Sequence, residues 1–189
     1  MDIAGLYDEL RKGAVPAARA LLGWKLVHET EQGPVSGYIV ETEAYRQDDP
    51  ASHTFAGLTK RNAAMFEDAG RIYVYFTYGM HYCVNIVAGY KGYGEAVLIR
   101  ALEPIDGLDN MKKWRKLDDN YQLTNGPAKL VQALGITIGD NDTVLGDSIH
   151  LVKGFTPEAI TQTQRVGISK AQEQPWRFYV TGNKFVSRK

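Results

Sequence analysis

Glu41, Glu43 and Tyr45 fall at alternate positions in the run Ile39-Val40-Glu41-Thr42-Glu43-Ala44-Tyr45. An extended chain therefore turns two carboxylates and a phenol to one side and Val40 and Thr42 to the other. A free glutamate titrates near ~4.3, so at neutral pH it is an anion that can take a proton from water or stabilise developing positive charge. An edge strand that carries charges to discourage aggregation uses the same spacing, and spacing alone leaves both readings open. A second constellation occupies residues 71–87, RIYVYFTYGMHYCVNIV. Its residue types favour a β-hairpin with Tyr78 near the tip, Tyr73 and Tyr75 on one face, and Cys83, Asn85 and Val87 sharing another. A concave side bearing Tyr75 and Asn85 suits a flat aromatic ligand that is stacked and then checked by hydrogen bonds. The plainer alternative is an aromatic-rich core hairpin.

The elements that position these residues follow from the periodicity. Leu10, Ala14, Ala17, Ala18 and Leu21 recur at near-helical intervals, predicting an N-terminal helix interrupted or offset near Pro16. Residues 26–28 and 35–43 read as two strands joined by the EQGP turn, and 46–59 as a loop containing His53. A helical turn is expected at 62–66. Residues 95–102 form a nearly all-apolar strand in which Arg100 is a lone charge; either it pairs with a carboxylate such as Glu41, Glu43 or Glu103, or the strand end is exposed, and a partner is the expectation. Helices are expected from Leu108 and from Pro127, the latter ending at Gly135. Short strands follow over 136–154, a helix start at Thr156-Pro157-Glu158, and a last strand WRFYV. The fold class is α+β: one domain over 1–189 with a curved, mainly antiparallel sheet, a protruding hairpin and surrounding helices.

Composition narrows the function. With 44% hydrophobic and 23% charged residues the chain is that of an ordinary soluble globular protein, and a cytoplasmic enzyme is expected because no apolar run or basic leader marks a membrane or export segment. Cys83 is the only cysteine, which excludes an internal disulfide and a cysteine-based zinc site. The four histidines are scattered without metal-ligand spacing, so no metal is expected. Net charge is zero, yet from Lys153 onward seven basic residues face two acidic ones, a bias that suits a phosphate backbone on one side.

The segments GYIVETEAY, ASH, RNAAMF, YVYFTYGMHYCVN, LIRALEP, NGPAKL, RVGI and RFYV together carry a resemblance. In this order they resemble the alkyladenine (3-methyladenine, methylpurine) DNA glycosylases of mammals and many bacteria, from about Gly23 to the C-terminus. The resemblance implies a monofunctional hydrolase of base excision repair that flips damaged purines out of double-stranded DNA and leaves an abasic site, using no cofactor and acting as a monomer. It implies that Glu43 is the general base and that Arg100 and the backbone carbonyl of Val166 hold the attacking water. Tyr45, His53 and Tyr75 would enclose the flipped base, Asn85 would exclude normal guanine, and Tyr78 would intercalate in the gap left in the stack. Where many relatives have Thr-Pro-Arg, this chain has Thr59-Lys60-Arg61. The competing readings are a lesion-binding protein without hydrolysis, which has no use for Glu43 beside Arg100, and a hydrolase of free nucleosides, which has no use for Tyr78.

Overall fold

The computed structural model describes residues 1–77 and 81–187, so Tyr78 lies outside the described residues. Among the described residues the chain runs α1 (Ile3–Arg11), α2 (Ala14–Ala20), β1 (Lys25–His28), β2 (Val35–Tyr45), β3 (Ile72–Thr77), β4 (His81–Val87), β5 (Ala96–Pro104), α3 (Leu108–Arg115), α4 (Pro127–Ala133), β6 (Ile149–Val152), β7 (Ile160–Thr163) and β8 (Arg177–Val180). All strand pairings are antiparallel, in the order β3-β4-β5-β2-β1-β6, with β8 joining β2 and β7 joining β8. The α+β expectation therefore holds.

The organising strand is β2. Its first part pairs with β1 and residues 41–43 pair with β8, while β5 runs along it nearly end to end. The β2–β5 register slips twice: Ile39 faces Leu102, Glu41 faces Ala101, and Thr42 faces Ile99. Val40 and Arg100 are thus the extra residues of a local irregularity, of the kind that bends a sheet and re-aims side chains. One face of β2 meets the N-terminal helices, where the Thr42 hydroxyl donates to the Ala18 carbonyl at 2.7 Å. Leu6, Leu10, Ala14, Ala17, Ala18 and Leu21 are all fully buried in that layer, with Ile39, Val40, Ala44 and Ile99. The other face carries Glu41, Glu43 and Tyr45. α4 lies against β4 and β5, and α3 against α4.

Two expectations are corrected. The N-terminal helix breaks at Lys12–Gly13, not at Pro16: Gly13 takes φ +109 as the N-cap of α2. Pro16 sits in the first turn of α2, where its missing N–H has no intrahelical partner to lose. The segment after Thr156-Pro157-Glu158 does not become a helix. Ile160–Thr163 pairs with β8 in the register Ile160↔Val180 to Thr163↔Arg177, and its β-branched residues fit that edge better than a helix with few apolar anchors.

A buried pair fixes the seam between β1 and the α4 end of the fold. His28 donates from Nδ1 to the Leu134 carbonyl at 2.8 Å, and its Nε2 lies 3.6 Å from Asp140. Burial disfavours the imidazolium, but the Asp140 and Leu134 contacts outweigh it and raise the His28 pKa above its usual 6.5. Burial likewise opposes ionisation of Asp140, yet His28 and the Thr137 amide hold its pKa below the usual 3.8. The stability from His28 is complete below 6.5 and is lost as pH rises through its raised value. The stability from Asp140 is complete above 3.8 and is lost as pH falls through its lowered value. The pair contributes most between these limits. A His28→Gln variant should therefore show a larger deficit in melting temperature at mildly acidic pH than at alkaline pH; equal deficits would remove the ion pair from the account.

Candidate active site

Glu43 is fully buried in the middle of β2. Its Oε2 accepts from the Tyr45 hydroxyl at 2.8 Å and from Arg100 Nη1 at 3.2 Å, and its Oε1 accepts from the Val166 amide at 2.8 Å. Two residues upstream, Glu41 is equally buried and accepts from Arg100 Nε at 3.0 Å, Arg177 Nε at 2.7 Å, and the Ser187 amide and hydroxyl at 2.6 and 2.9 Å. Both carboxylates are thereby interior groups and the aggregation-blocking edge is ruled out. Arg100 lies between them, its Nη2 donating to Ser187 Oγ at 3.3 Å. Burial works against its charge, but the neighbouring Glu43 and Glu41 carboxylates outweigh it and raise its pKa further. The third proposed partner, Glu103, instead accepts from Asn183 at 2.8 Å.

Above this charge layer lies a cavity of about 390 Å³, lined among others by Tyr45, His53, Tyr75, Asn85, Arg100 and Val166. That volume falls in the range of small-molecule ligand sites. The hairpin register explains the convergence: Tyr73 faces Asn85 and Tyr75 faces Cys83 across β3 and β4, and Asn85 in turn faces Leu98 of β5. Tyr73 and Tyr75 stack with centroids 5.4 Å apart. His53 meets Tyr75 edge-on at 4.5 Å, and its Nδ1 is 3.0 Å from the Tyr73 hydroxyl. The hairpin is therefore both things the sequence allowed, since Tyr73 is almost wholly buried in a core cluster and also borders the cavity, and Tyr75 is a cavity wall packed against that cluster. Asn85 donates from Nδ2 to the Tyr73 carbonyl at 3.0 Å, which pins its amide against the strand.

Electrostatics keep this cavity neutral at its aromatic surfaces. Burial, then the adjacent Glu43 carboxylate, raises the Tyr45 pKa, and burial with the Cys83 neighbour raises that of Tyr75. Tyr73 is pushed up to about 12 by burial. Burial and the nearby Arg61 lower the His53 pKa, so the ring that faces Tyr75 is the uncharged imidazole at neutral pH. Cys83 is a buried free thiol.

The sequence-level site residues other than Tyr78 thus converge on one cavity and on the carboxylate held by its lining, but three details differ from expectation. The Val166 group on Glu43 is its amide N–H, an additional contact to the expected use of its carbonyl. In the Thr59-Lys60-Arg61 stretch, Arg61 reaches the cavity wall: it donates to the Phe76 carbonyl at 2.9 Å and lies 5.7 Å from the Tyr75 ring centroid. The basic C-terminal surface is also smaller than the residue count suggested. Arg165 and Arg177 are buried in ion pairs with Asp49 and Glu41, leaving Lys153, Lys170 and Lys184 exposed among the described residues, against exposed Glu158 and Glu173.

Sequence reasoning missed Asp49, Arg165, Arg177 and Ser187. Arg165 directly precedes Val166, and Asp49 lies in the loop after Tyr45, so both were adjacent to recognised motifs. Their pairing joins positions 116 apart in the chain, which no local signal reports.

No helix among the described residues is long and apolar enough to cross a membrane. The methylpurine-DNA glycosylase family model matches residues 8–184. A protein of Methanoculleus marisnigri, provisionally named a 3-methyladenine DNA glycosylase, is 50% identical over 192 residues, covering 98% of each chain. Proteins given the same provisional name in Francisella tularensis and Carboxydothermus hydrogenoformans are 47% and 48% identical, covering 95% and 91% of this chain and 96% and 92% of their own. With a tyrosine-walled cavity whose lining residues Tyr45, Arg100 and Val166 hold a buried glutamate, and with similarity spanning nearly all of its length, the chain belongs to the methylpurine-DNA glycosylase family, and it is a monofunctional DNA glycosylase and hydrolase.

Proposed function

We propose that the protein flips alkylated or deaminated purines, such as 3-methyladenine, 7-methylguanine, hypoxanthine and ethenoadenine, from double-stranded DNA into this cavity and hydrolyses the N-glycosidic bond. The observation that carries the reading is the Glu43 carboxylate, sealed from bulk solvent and held by Tyr45, Arg100 and Val166, three residues that line an aromatic-walled cavity. A carboxylate has about four lone-pair sites, and three are engaged, which leaves acceptor capacity for one more donor. In the proposed step a water molecule donates to Glu43, its oxygen bonds to the anomeric carbon of the deoxyribose, and its proton passes to the carboxylate. The bond to the purine nitrogen breaks and its electron pair leaves with the base. Glu43 also opposes the positive charge that builds on the sugar in the transition state.

The other residues take supporting parts. Arg100 orients Glu43 while Glu41 offsets its charge, so the guanidinium adds little repulsion toward the developing cation. The Val166 backbone carbonyl helps to hold the water. Tyr45, Tyr75 and neutral His53 enclose the base; an uncharged imidazole accepts a cationic alkylated ring without repulsion, and tyrosine faces attract it. Asn85, fixed on the strand, crowds the exocyclic amine of a normal guanine. Tyr78 fills the gap left in the duplex, and one chain suffices to hold one flipped nucleotide, so the enzyme acts as a monomer in the cytoplasm.

Stacking on an aromatic wall is worth roughly 1–3 kcal/mol per base. Tyr75→Ala should therefore weaken binding to a lesion duplex by about 5- to 150-fold while leaving binding to undamaged duplex unchanged; an equal loss on both would show that Tyr75 does not touch the flipped base. The function itself is tested by single-turnover base release from duplexes carrying hypoxanthine or an alkylated purine. Binding of the lesion without release by the wild-type protein would make it a damage binder. A borohydride-trapped covalent adduct would contradict attack by water.

A further inference from the structure

Behind the Tyr45 wall lies a buried ion pair to which the proposed chemistry assigns no part. The side chains of Arg165 and Asp49 are both wholly inaccessible. Asp49 accepts from Arg165 through both carboxylate oxygens, at Nη1 and, at 3.1 Å, at Nη2. The guanidinium also donates to the Ala44 carbonyl at 3.0 Å and to the Ala171 carbonyl at 3.3 Å. Its carbon lies 4.7 Å from the centroid of Tyr45 and 5.2 Å from that of Trp176. Arg165 Nε is buried with no hydrogen-bond partner among the described residues. Apolar side chains of similar volume would fill this space at less cost than two desolvated charges, one with an unsatisfied donor.

The location gives the pair a purpose. Arg165 is the residue before Val166, whose amide holds Glu43, and it reaches the main chain at Ala44, the residue between Glu43 and Tyr45. Asp49 belongs to the loop that leads to His53. One guanidinium therefore joins the strand bearing Glu43 and Tyr45, the loop leading to His53 and the segment bearing Val166. We infer that Arg165, locked by Asp49, is a positioning residue for the hydrolytic step: it fixes the Val166 amide on Glu43 and backs the Tyr45 ring. The planar fork is essential to this, because a lysine ammonium cannot meet two carboxylate oxygens and two carbonyls while packing against two rings.

This role rests on the glycosylase reading and is tested with Arg165→Lys and Asp49→Asn. Each variant is compared with wild type for single-turnover hypoxanthine release as a function of pH, for affinity toward the hypoxanthine duplex, and for thermal melting. Arg165→Lys, which keeps the charge, should lower the release rate about tenfold or more at saturating enzyme, since small misplacements of reacting groups are costly. It should also move the acidic limb of the pH–rate profile to higher pH, because a carboxylate that loses a hydrogen-bond donor is more easily protonated. Asp49→Asn, which keeps the side-chain shape, should shift both in the same direction by less, and it carries the test alone if Arg165→Lys does not fold. A wild-type rate and an unmoved acidic limb in a folded variant overturn the role. So does a rate loss accompanied by lower melting temperature or affinity with the limb unmoved, which marks a purely structural pair. Absence of release by wild type overturns the glycosylase reading and this role together, whereas release by wild type with unaffected variants overturns this role alone.

Discussion

Glu43→Gln should abolish detectable base release, lowering the single-turnover rate by about 10²–10⁴-fold, the usual contribution of a positioned general base. Glutamine has the shape of glutamate and can still accept from the Val166 amide, but it neither takes the proton of the attacking water nor opposes positive charge on the sugar. Affinity for a lesion duplex should stay within a few fold of wild type, since Glu43 lies beneath the cavity and Tyr45, His53 and Tyr75 line it. The fold should survive with a modest loss, on the order of 1–3 kcal/mol, because one hydrogen bond to Arg100 Nη1 is replaced by an unfavourable amide contact. The decisive comparison is base release against binding on the same hypoxanthine duplex. A variant that still releases base within a few fold of wild type would transfer the chemistry to another residue.

Glu41→Gln should do the reverse. Glu41 is the carboxylate on which the charge layer depends: Arg100 and Arg177 both donate to its Oε1, and the Ser187 amide ties the end of the described chain to its Oε2. Neutralising it leaves two guanidiniums, both more than nine-tenths buried, with less compensating charge. Breaking a buried ion pair from one side typically costs about 3–5 kcal/mol. For a chain of this size that corresponds to a drop in melting temperature of roughly 6–20 °C. Thermal melts followed by circular dichroism would measure it. At a temperature where the variant is still folded, base release should persist at a reduced rate, because Arg100 keeps its contact with Glu43. A melting temperature within about a degree of wild type would mean that solvent or a rearranged side chain satisfies the arginines. Two carboxylates two residues apart on one strand face are thus separable, one by rate and the other by stability.

The strands that carry the site, and the side each functional residue takes, are written in the local residue pattern. Period-two alternation in residues 39–45 put Glu41, Glu43 and Tyr45 opposite Thr42, and the structure buries the two sets in different layers. Alternation in the hairpin placed Tyr73 and Tyr75 together, where their rings stack. The rarity of an unpaired charge inside an apolar strand required a carboxylate partner for Arg100, and it has two. These features were legible because side-chain direction in a strand depends only on the residue's own position, and because desolvation makes a buried charge costly wherever the chain takes it.

Which distant residues complete the network depends on the folded chain. Arg165 and Arg177 read as surface cations because most arginines are exposed, and no periodicity distinguishes a guanidinium that will meet Asp49 or Glu41 across more than 100 residues. The register slip at Val40 and Arg100 depends on how β2 is shared among β1, β5 and β8, so it belongs to the assembled sheet and not to either strand. The strand Ile160–Thr163 exists because β8 offers it an edge, a partner that local propensity at Thr156-Pro157-Glu158 does not report. Residue types and spacing set the chemistry available on each element, whereas desolvation and strand pairing, which act only once the chain is folded, selected the partners that hold it in place.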